Sequence, residues 1–359
     1  MIALLLLALL SGPASAETLL LSSPRPAICE ASPDAEFGLE QGELRPVRGL
    51  FSFAPPGEPQ LKPLLSVPRE VEPGGVVRIL AISPDPLDGI SAQLTDANGR
   101  SLSRTTRFRL SQGTEGERWV ALIGIPSTAA AGPRTLEVKL SAGSRDCLLR
   151  AELSVSAKAF ATESIALDRT LSDLRTVPDQ RKAQEARDLA RLLAVAHDDA
   201  LFGTEPFAMP ISAAWRLTAG YGDRREYRYE GGGSDLSVHG GIDMAAPEKT
   251  PVAACARGRV VFAGDRILTG KTVVIEHLPG VFSIYYHMAD ILAREGDVPA
   301  AGQPIGSVGK TGLATGPHLH WEVQILGTTV DPEALVRRAV LDMETVFLDI
   351  QGEKKPEGR

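Results

Sequence analysis

The sequence predicts a mainly β protein built in three parts: an immunoglobulin-like β-sandwich, a helical connector and a C-terminal antiparallel β-sheet domain. Three observations carry this prediction. From about Leu64, short segments of alternating apolar and polar residues are separated by turn signals such as EPGG, DANG, AAAGP and SAGSR. One stretch, 178–197, has the spacing of an amphipathic helix. Beyond about Pro206 the alternation returns, now dense in glycine. The 359 residues include 35 Gly and 26 Pro, with only 5% aromatics, which suits short strands joined by many turns.

The N-terminal stretch MIALLLLALLSGPASA has an apolar run from Ile2 to Leu10 followed by Ala14-Ser15-Ala16. This is the form of an export signal cleaved near Ala16, so 1–16 is read as a signal peptide. The run is too short to span a bilayer as a helix, and no later segment of the sequence is long enough, so no membrane span is expected in the mature chain. Residues 17–62 are Pro-rich and aperiodic. Residues 63–157 hold the sandwich strands, among them TLEVKLS, where Leu136, Val138 and Leu140 alternate with Glu137 and Lys139. In an exported protein, Cys29 and Cys147 are the natural disulfide pair, because both lie in the first half. Cys255, in PVAACARGRVV, fits an inert core position.

Residues 158–205 form the linker. Its helix is expected to begin near Pro178, to bury Ala186, Leu189, Ala190, Leu193 and Ala196, and to end at His197. Residues 206–346 form the second β-domain and 347–359 a charged tail. A formal net charge of −7 and the lack of a basic run with interleaved aromatics exclude nucleic acid as the main partner.

Five of the six histidines fall in the second β-domain. In TGPHLHWEV, residues two apart share a strand face, so His318 and His320 point one way and Leu319, Trp321 and Val323 the other. Two such imidazoles can share a metal, or one can bind metal while its neighbour moves protons. An edge strand with polar residues on its solvent face is the alternative. SVHGGIDM adds His239 and Asp243, which a tight turn at Gly240-Gly241 can fold onto one ion. Zinc accepts imidazole and carboxylate ligands, and a catalytic site uses three protein ligands, so the H-x-H strand would supply the third.

The block at 213–333 resembles the lysostaphin/LytM-type zinc metallopeptidases, which cut peptide bonds of bacterial peptidoglycan. The ordered matches are LTAGYGDRR, HGGID, TPVAACARGRVVFAG, TVVIEHLPGVFSIYYHM, GDVPAAGQPIGSVGKTGLATGPHLHWEV and TTVDPEAL. Glu248-Lys249 depart from the family's usual glycine before TPV, and the segment between Arg225 and His239 is long. The resemblance implies a LytM-type antiparallel sheet domain with one zinc ion per chain. Its ligands would be His239, Asp243 and His320, with His287 and His318 as catalytic histidines. Alternation in FSIYYH puts His287 on the face of Ser283 and Tyr285, leaving Phe282, Ile284 and Tyr286 to the core. His277 matches a family position outside the metal shell and is read as structural. Tyr227 and Tyr229, in the loop before His239, are candidate hydrogen-bond donors to an oxyanion.

The implied function is an exported zinc endopeptidase acting on peptidoglycan stem peptides in the periplasm or cell envelope, with the bond between D-alanine and diaminopimelate favoured. The alternative is a catalytically silent wall scaffold or amidase activator. Since both catalytic positions and all three ligand positions are filled, the enzyme is preferred. A regulatory partner protein, a first half that limits access to the groove, and loss of activity below about pH 6 complete the expectations.

Overall fold

Eleven-residue strands that alternate apolar and polar side chains form the backbone of the N-terminal half. The computed structural model describes residues 70–341 apart from 84, 85, 114, 115 and 144, together with short strands at 27–28, 46–47 and 64–66. Residues 1–16, expected to be a signal peptide, most of the Pro-rich segment, the charged tail and Cys29 lie outside the described residues, as does the side chain of Cys147.

One sheet of this half contains β1 (Ala27–Ile28), β4 (Glu70–Val71), β6 (Gly89–Thr95), β9 (Gly132–Ala142) and β10 (Arg145–Val155). The other contains β2 (Pro46–Val47), β3 (Leu64–Ser66), β5 (Val76–Ser83), β7 (Thr105–Gly113) and β8 (Gly116–Gly124). Leu136, Val138 and Leu140 of β9 face Val77, Ile79 and Ala81 of β5 across a closed apolar core. The second sheet is apolar on its other face as well. Val76, Leu80, Phe108, Val120 and Leu122 enter a core shared with Val281, Ile325 and Val330 of the C-terminal half. That explains why GVVRILAI reads as a nearly continuous apolar run: a sheet covered on both sides has no solvent face to mark.

The linker contributes β11 (Thr162–Leu167), α1 (Arg169–Thr176) and α2 (Gln180–Leu192). Asp179 caps α2 by accepting from the amides of Arg181 and Lys182, so Pro178 precedes the cap instead of opening the first turn. The helix stops at Leu192, and His197 is not at its end. The buried Glu276 carboxylate accepts from the His197 amide at 3.1 Å and meets its Nδ1 at 2.6 Å, drawing that segment onto the sheet. Leu189, Leu192 and Leu193 pack on Val274, Phe282, Ile284 and Tyr286, whereas Ala186 and Ala190 are exposed. The leucines, long enough to reach the sheet, set the packing face.

The C-terminal half centres on a seven-stranded sheet in the order β12 (Arg216–Ala219), β15 (Gly241–Ala245), β22 (His318–Ile325), β19 (Val281–Met288), β18 (Gly270–Leu278), β17 (Arg259–Arg266), with β23 (Thr328–Val330) beside β22. A small sheet joins β16 (Pro251–Ala253), β21 (Pro304–Ser307) and β20 (Asp290–Ile291). The long segment before His239 is a hairpin, β13 (Arg224–Tyr229) and β14 (Ser234–Val238), and the linker strand β11 pairs with β13 in parallel. Helix α3 (Pro332–Arg337) follows β23. No helix among the described residues is long and apolar enough to cross a membrane.

The sandwich meets the turns at Gly280 and Leu326, where Thr106 Oγ1 donates to the Pro279 carbonyl at 2.5 Å. These turns lie at the strand ends opposite to His287 and His318. Ser127 also meets Tyr221 and Arg224, whose turn precedes the β13–β14 hairpin. The linker, by contrast, reaches both sides of the histidines. On one side Arg175 of α1 donates to Asp235 at 2.9 Å; on the other, Glu185 of α2 accepts from the Ile267 amide at 2.8 Å. The expectation that the first half flanks the groove therefore applies to the linker, and the sandwich packs elsewhere.

His277 is a core residue. Its Nδ1 donates to the Arg257 carbonyl at 2.9 Å and its Nε2 lies 2.7 Å from Ser283 Oγ. Cys255 is free and buried beside it, its thiol pushed up to about 11 by burial. Burial holds the His277 pKa down to about 4, against 6.5 for a free imidazole. Below pH 6.5 the unfolded chain takes up a proton that the folded chain refuses, so stability is full above that pH and declines as pH falls to about 4. The expected loss is about 3 kcal/mol, from 1.36 kcal/mol per pH unit. Urea unfolding at a series of pH values should show this slope, and His277→Gln should flatten it.

Candidate metal and active site

The β-ladder register builds the site. Asp243 of β15 pairs with His320 of β22, which pairs with Tyr286 of β19, so all three lie in one row on one sheet face. His318, paired with Ala245, is the next same-face residue along β22. Leu319, Trp321 and Val323 are fully buried on the other face, as the alternation predicts. His239 follows β14 and is fixed by its backbone: its amide donates to the Asp223 carbonyl at 2.9 Å and its carbonyl accepts from the Gly222 amide at 2.8 Å.

His239 Nε2, Asp243 Oδ1 and His320 Nδ1 converge. The separations are 3.1 Å from His239 to Asp243, 2.9 Å from His239 to His320 and 2.9 Å from His320 to Asp243. All three residues are buried. Each one's remaining polar atom is held from behind. His239 Nδ1 meets the Gly220 carbonyl at 2.7 Å, His320 Nε2 meets Glu322 Oε2 at 3.2 Å, and Asp243 Oδ2 accepts from Arg225 at 2.6 Å. A proton on the outward nitrogen of each imidazole leaves the inward nitrogen as a lone pair, which is the arrangement a metal-ligating histidine requires. Three acceptors facing one another in a buried place fit a divalent cation with nitrogen and oxygen ligands.

The electrostatics agree. The Asp243 carboxyl, although buried, is held well below the usual carboxylate range by the adjacent His239 and His320. Against the cost of burial, Asp243 and Glu322 raise His320 to about 9, so this corner favours positive charge. Burial, joined by the charges of His320 and Arg225, lowers His239.

His287 and His318 stand beside this cluster with ring centroids 4.8 Å apart. Their Nδ1 atoms meet the carbonyls of Thr311 and Gly316, each at 2.8 Å, so each neutral ring presents Nε2 as an acceptor. His318 Nε2 is 3.8 Å from Asp243 Oδ1. Burial, followed by the neighbouring histidines, takes His287 down to about 3. His239 and His287 thus stay neutral at lower pH than ordinary imidazoles, which moves their part of the expected acid limb below pH 6.

One expectation is overturned here. Simple alternation assigns His287 to the face of Ser283 and Tyr285, but those two are fully buried in the main core. The opposite face, with Phe282, Ile284 and Tyr286, carries the site. His287 reaches it because its φ is +60° and the β18–β19 register slips by a residue just before it. A bulge breaks the period-two rule at this residue.

Tyr227 and Tyr229 lie in strand β13, not in a loop. The Arg175 guanidinium sits 4.1 Å from the Tyr227 ring centre and donates to the Tyr229 hydroxyl at 3.2 Å. These contacts tie both tyrosines to α1. Sequence reasoning missed Glu322, Arg225 and Tyr286. Glu322 was within reach, because it shares the face of His320 two residues on. Tyr286, stacked at 5.1 Å on His320, was hidden by the wrong face assignment.

Residues 237–332 match the model of peptidase family M23. The chain carries an M23 peptidase domain. Over 95 residues this domain is 46% identical to the DD-carboxypeptidase/endopeptidase Mpg of Neisseria meningitidis serogroup B, covering 26% of this chain and 22% of that one. Over 122 residues it is 34% identical to the peptidoglycan DD-endopeptidase ShyA of Vibrio cholerae serotype O1, covering 34% and 28%. The chain thus spans about a quarter of the length of these curated relatives. A crystal structure from Pseudomonas aeruginosa whose name assigns it to peptidase M23 shares the fold, with a TM-score of 0.50 and 24% identity over 74% of this chain and 93% of that one.

Within the M23 domain, Gly270 keeps the β17–β18 turn against the loop that holds His287. Its φ is +63°, and a Cβ there would stand 2.2 Å from Thr311 Oγ1 and 2.4 Å from the Thr311 carbonyl oxygen that receives His287 Nδ1. Gly270→Ala should therefore cost about 1–3 kcal/mol in urea unfolding, the usual cost of overpacking. Nuclear magnetic resonance should show the His287 ring signals displaced, while those of His277 stay in place.

Proposed function

We propose that this chain is an exported zinc metalloendopeptidase that hydrolyses peptide cross-links of bacterial peptidoglycan. The observation that carries the reading is the convergence of His239 Nε2, Asp243 Oδ1 and His320 Nδ1 beside two further imidazoles whose Nδ1 atoms are held by backbone carbonyls. His239, Asp243 and His320 would hold zinc, which supplies Lewis acidity to a water and to the scissile carbonyl. Nε2 of His287 or His318 takes the proton that water loses on attacking the carbonyl. The partner imidazole hydrogen-bonds the developing oxyanion or returns a proton to the departing amine. The backbone carbonyls of Thr311 and Gly316 fix the tautomers this requires.

The relatives are named as a DD-carboxypeptidase/endopeptidase and a peptidoglycan DD-endopeptidase, which supports a peptidoglycan substrate; within it, the bond between D-alanine and diaminopimelate is the one this reading favours. A substrate of the wall and an N-terminal stretch of signal-peptide form together support a periplasmic or envelope location. The crossing of the site face by the linker supports control of access by the chain itself or by a partner protein.

The test is zinc content and turnover of purified muropeptides by the mature protein, beside His320→Ala and His318→Ala, with products identified by mass. One equivalent of zinc and a cut cross-link are expected. His320→Ala should lose both; His318→Ala should keep zinc and lose at least about 100-fold in kcat, the lower range for a general acid or base. No zinc and no cleavage in the unaltered protein would favour the scaffold reading.

A further inference from the structure

We infer that Glu163, in the linker and outside the family-matched span, is a positioning residue that sets the metal affinity of the site by acting through Arg225 on Asp243. The inference rests on Asp243 being a metal ligand. Glu163 lies directly opposite Arg225 in the parallel ladder of β11 and β13, so the two side chains leave the same face. Arg225 Nε donates to Glu163 Oε1, and its terminal nitrogen donates to Asp243 Oδ2 at 2.6 Å. The guanidinium side chain is 11% exposed and that of Asp243 10%.

The geometry gives each group a distinct task. Asp243 turns one oxygen toward His239 and His320 and the other toward Arg225, so the rotation of the carboxylate follows the position of the guanidinium. A guanidinium is a planar fork on a flexible stem, and one anchored nitrogen does not fix the plane. Glu163 supplies the second anchor at Nε. It also offsets the charge of Arg225, which would otherwise oppose a dication held at Asp243 Oδ1. Among the described contacts these two carboxylates are the hydrogen-bond partners of Arg225; the Asp243 end of the pair is buried and the Glu163 side chain, 33% exposed, closes it at the edge. A strand that precedes the recognisable peptidase block thereby completes the environment of one of its ligands.

The experiment measures zinc affinity of the full chain by competition with a chromophoric chelator, and thermal unfolding in EDTA. Glu163→Gln is expected to weaken zinc binding 10–100-fold, the usual cost of losing an outer partner of a ligand, with the unfolding midpoint in EDTA unchanged. Glu163→Asp should fall between, and it carries the comparison should Glu163→Gln not fold. Arg225→Met should weaken binding as well, and adding Glu163→Gln to it should change nothing further. Ser164→Ala, on the exposed side of the same strand, should bind zinc as the parent does. Zinc affinity of Glu163→Gln within twofold of the parent would overturn the inference. So would a loss matched by a fall of the EDTA midpoint, or additive effects of Glu163→Gln and Arg225→Met. An unaltered chain that binds no zinc would instead overturn the metal-site reading beneath it.

Discussion

Three acceptor atoms crowded within 3.1 Å of one another on a buried sheet face repel unless positive charge stands among them, and much of the second half is arranged around that constraint. The ladder fixes two of the three, because Asp243 and His320 are cross-strand neighbours. Backbone hydrogen bonds at Asp223 and Gly222 fix the third. Gly241 makes this possible: a side chain there would strike the Trp321 carbonyl at 2.2 Å, so only a bare backbone lets β15 approach β22 so closely. Glu322, Arg225 and the Gly220 carbonyl then hold each of the three side chains from the outside. A loose version of this cluster would relax by turning its lone pairs away from one another.

His287 depends on a different device. Rigid alternation can put only every second residue on a chosen face, and the strand already presents Phe282, Ile284 and Tyr286 there. The bulge adds one more residue to that face at the strand's end. The cost is a left-handed backbone at a non-glycine residue, and it is held by the His287 amide bond to the Thr269 carbonyl at 2.9 Å and by the Thr311 carbonyl on the ring.

Much of this was legible in the chain. The H-x-H spacing put His318 and His320 on a common face, and the turn glycines after His239 allowed Asp243 to fold back. The mainly β class followed from alternation and turn chemistry. What escaped the sequence was set by contacts distant along the chain. Nothing local in TESIAL says that Glu163 will pair with Arg225, since parallel pairing carries no hairpin signal. Alternation misled at His287 because a bulge is a tertiary decision. The helix prediction overshot because five small or apolar residues at helical spacing looked equivalent. The sheet selected the leucines among them, and the buried Glu276 claimed His197 for itself.

The second sheet of the sandwich is covered on both faces, with its outer side merged into the core beneath the catalytic sheet. Three layers share their apolar contacts, and Arg78 adds bonds from β5 to the carbonyls of Ala339 and Val340 after α3. Such a stack joins the sandwich to the C-terminal sheet through packed side chains and not only through the linker. The linker, by contrast, meets the C-terminal half through the β11–β13 ladder, the leucines of α2 and the Asp235 and Glu185 contacts. The sandwich is thus built into the second half as a further layer, and the linker lies across the face that carries the histidines.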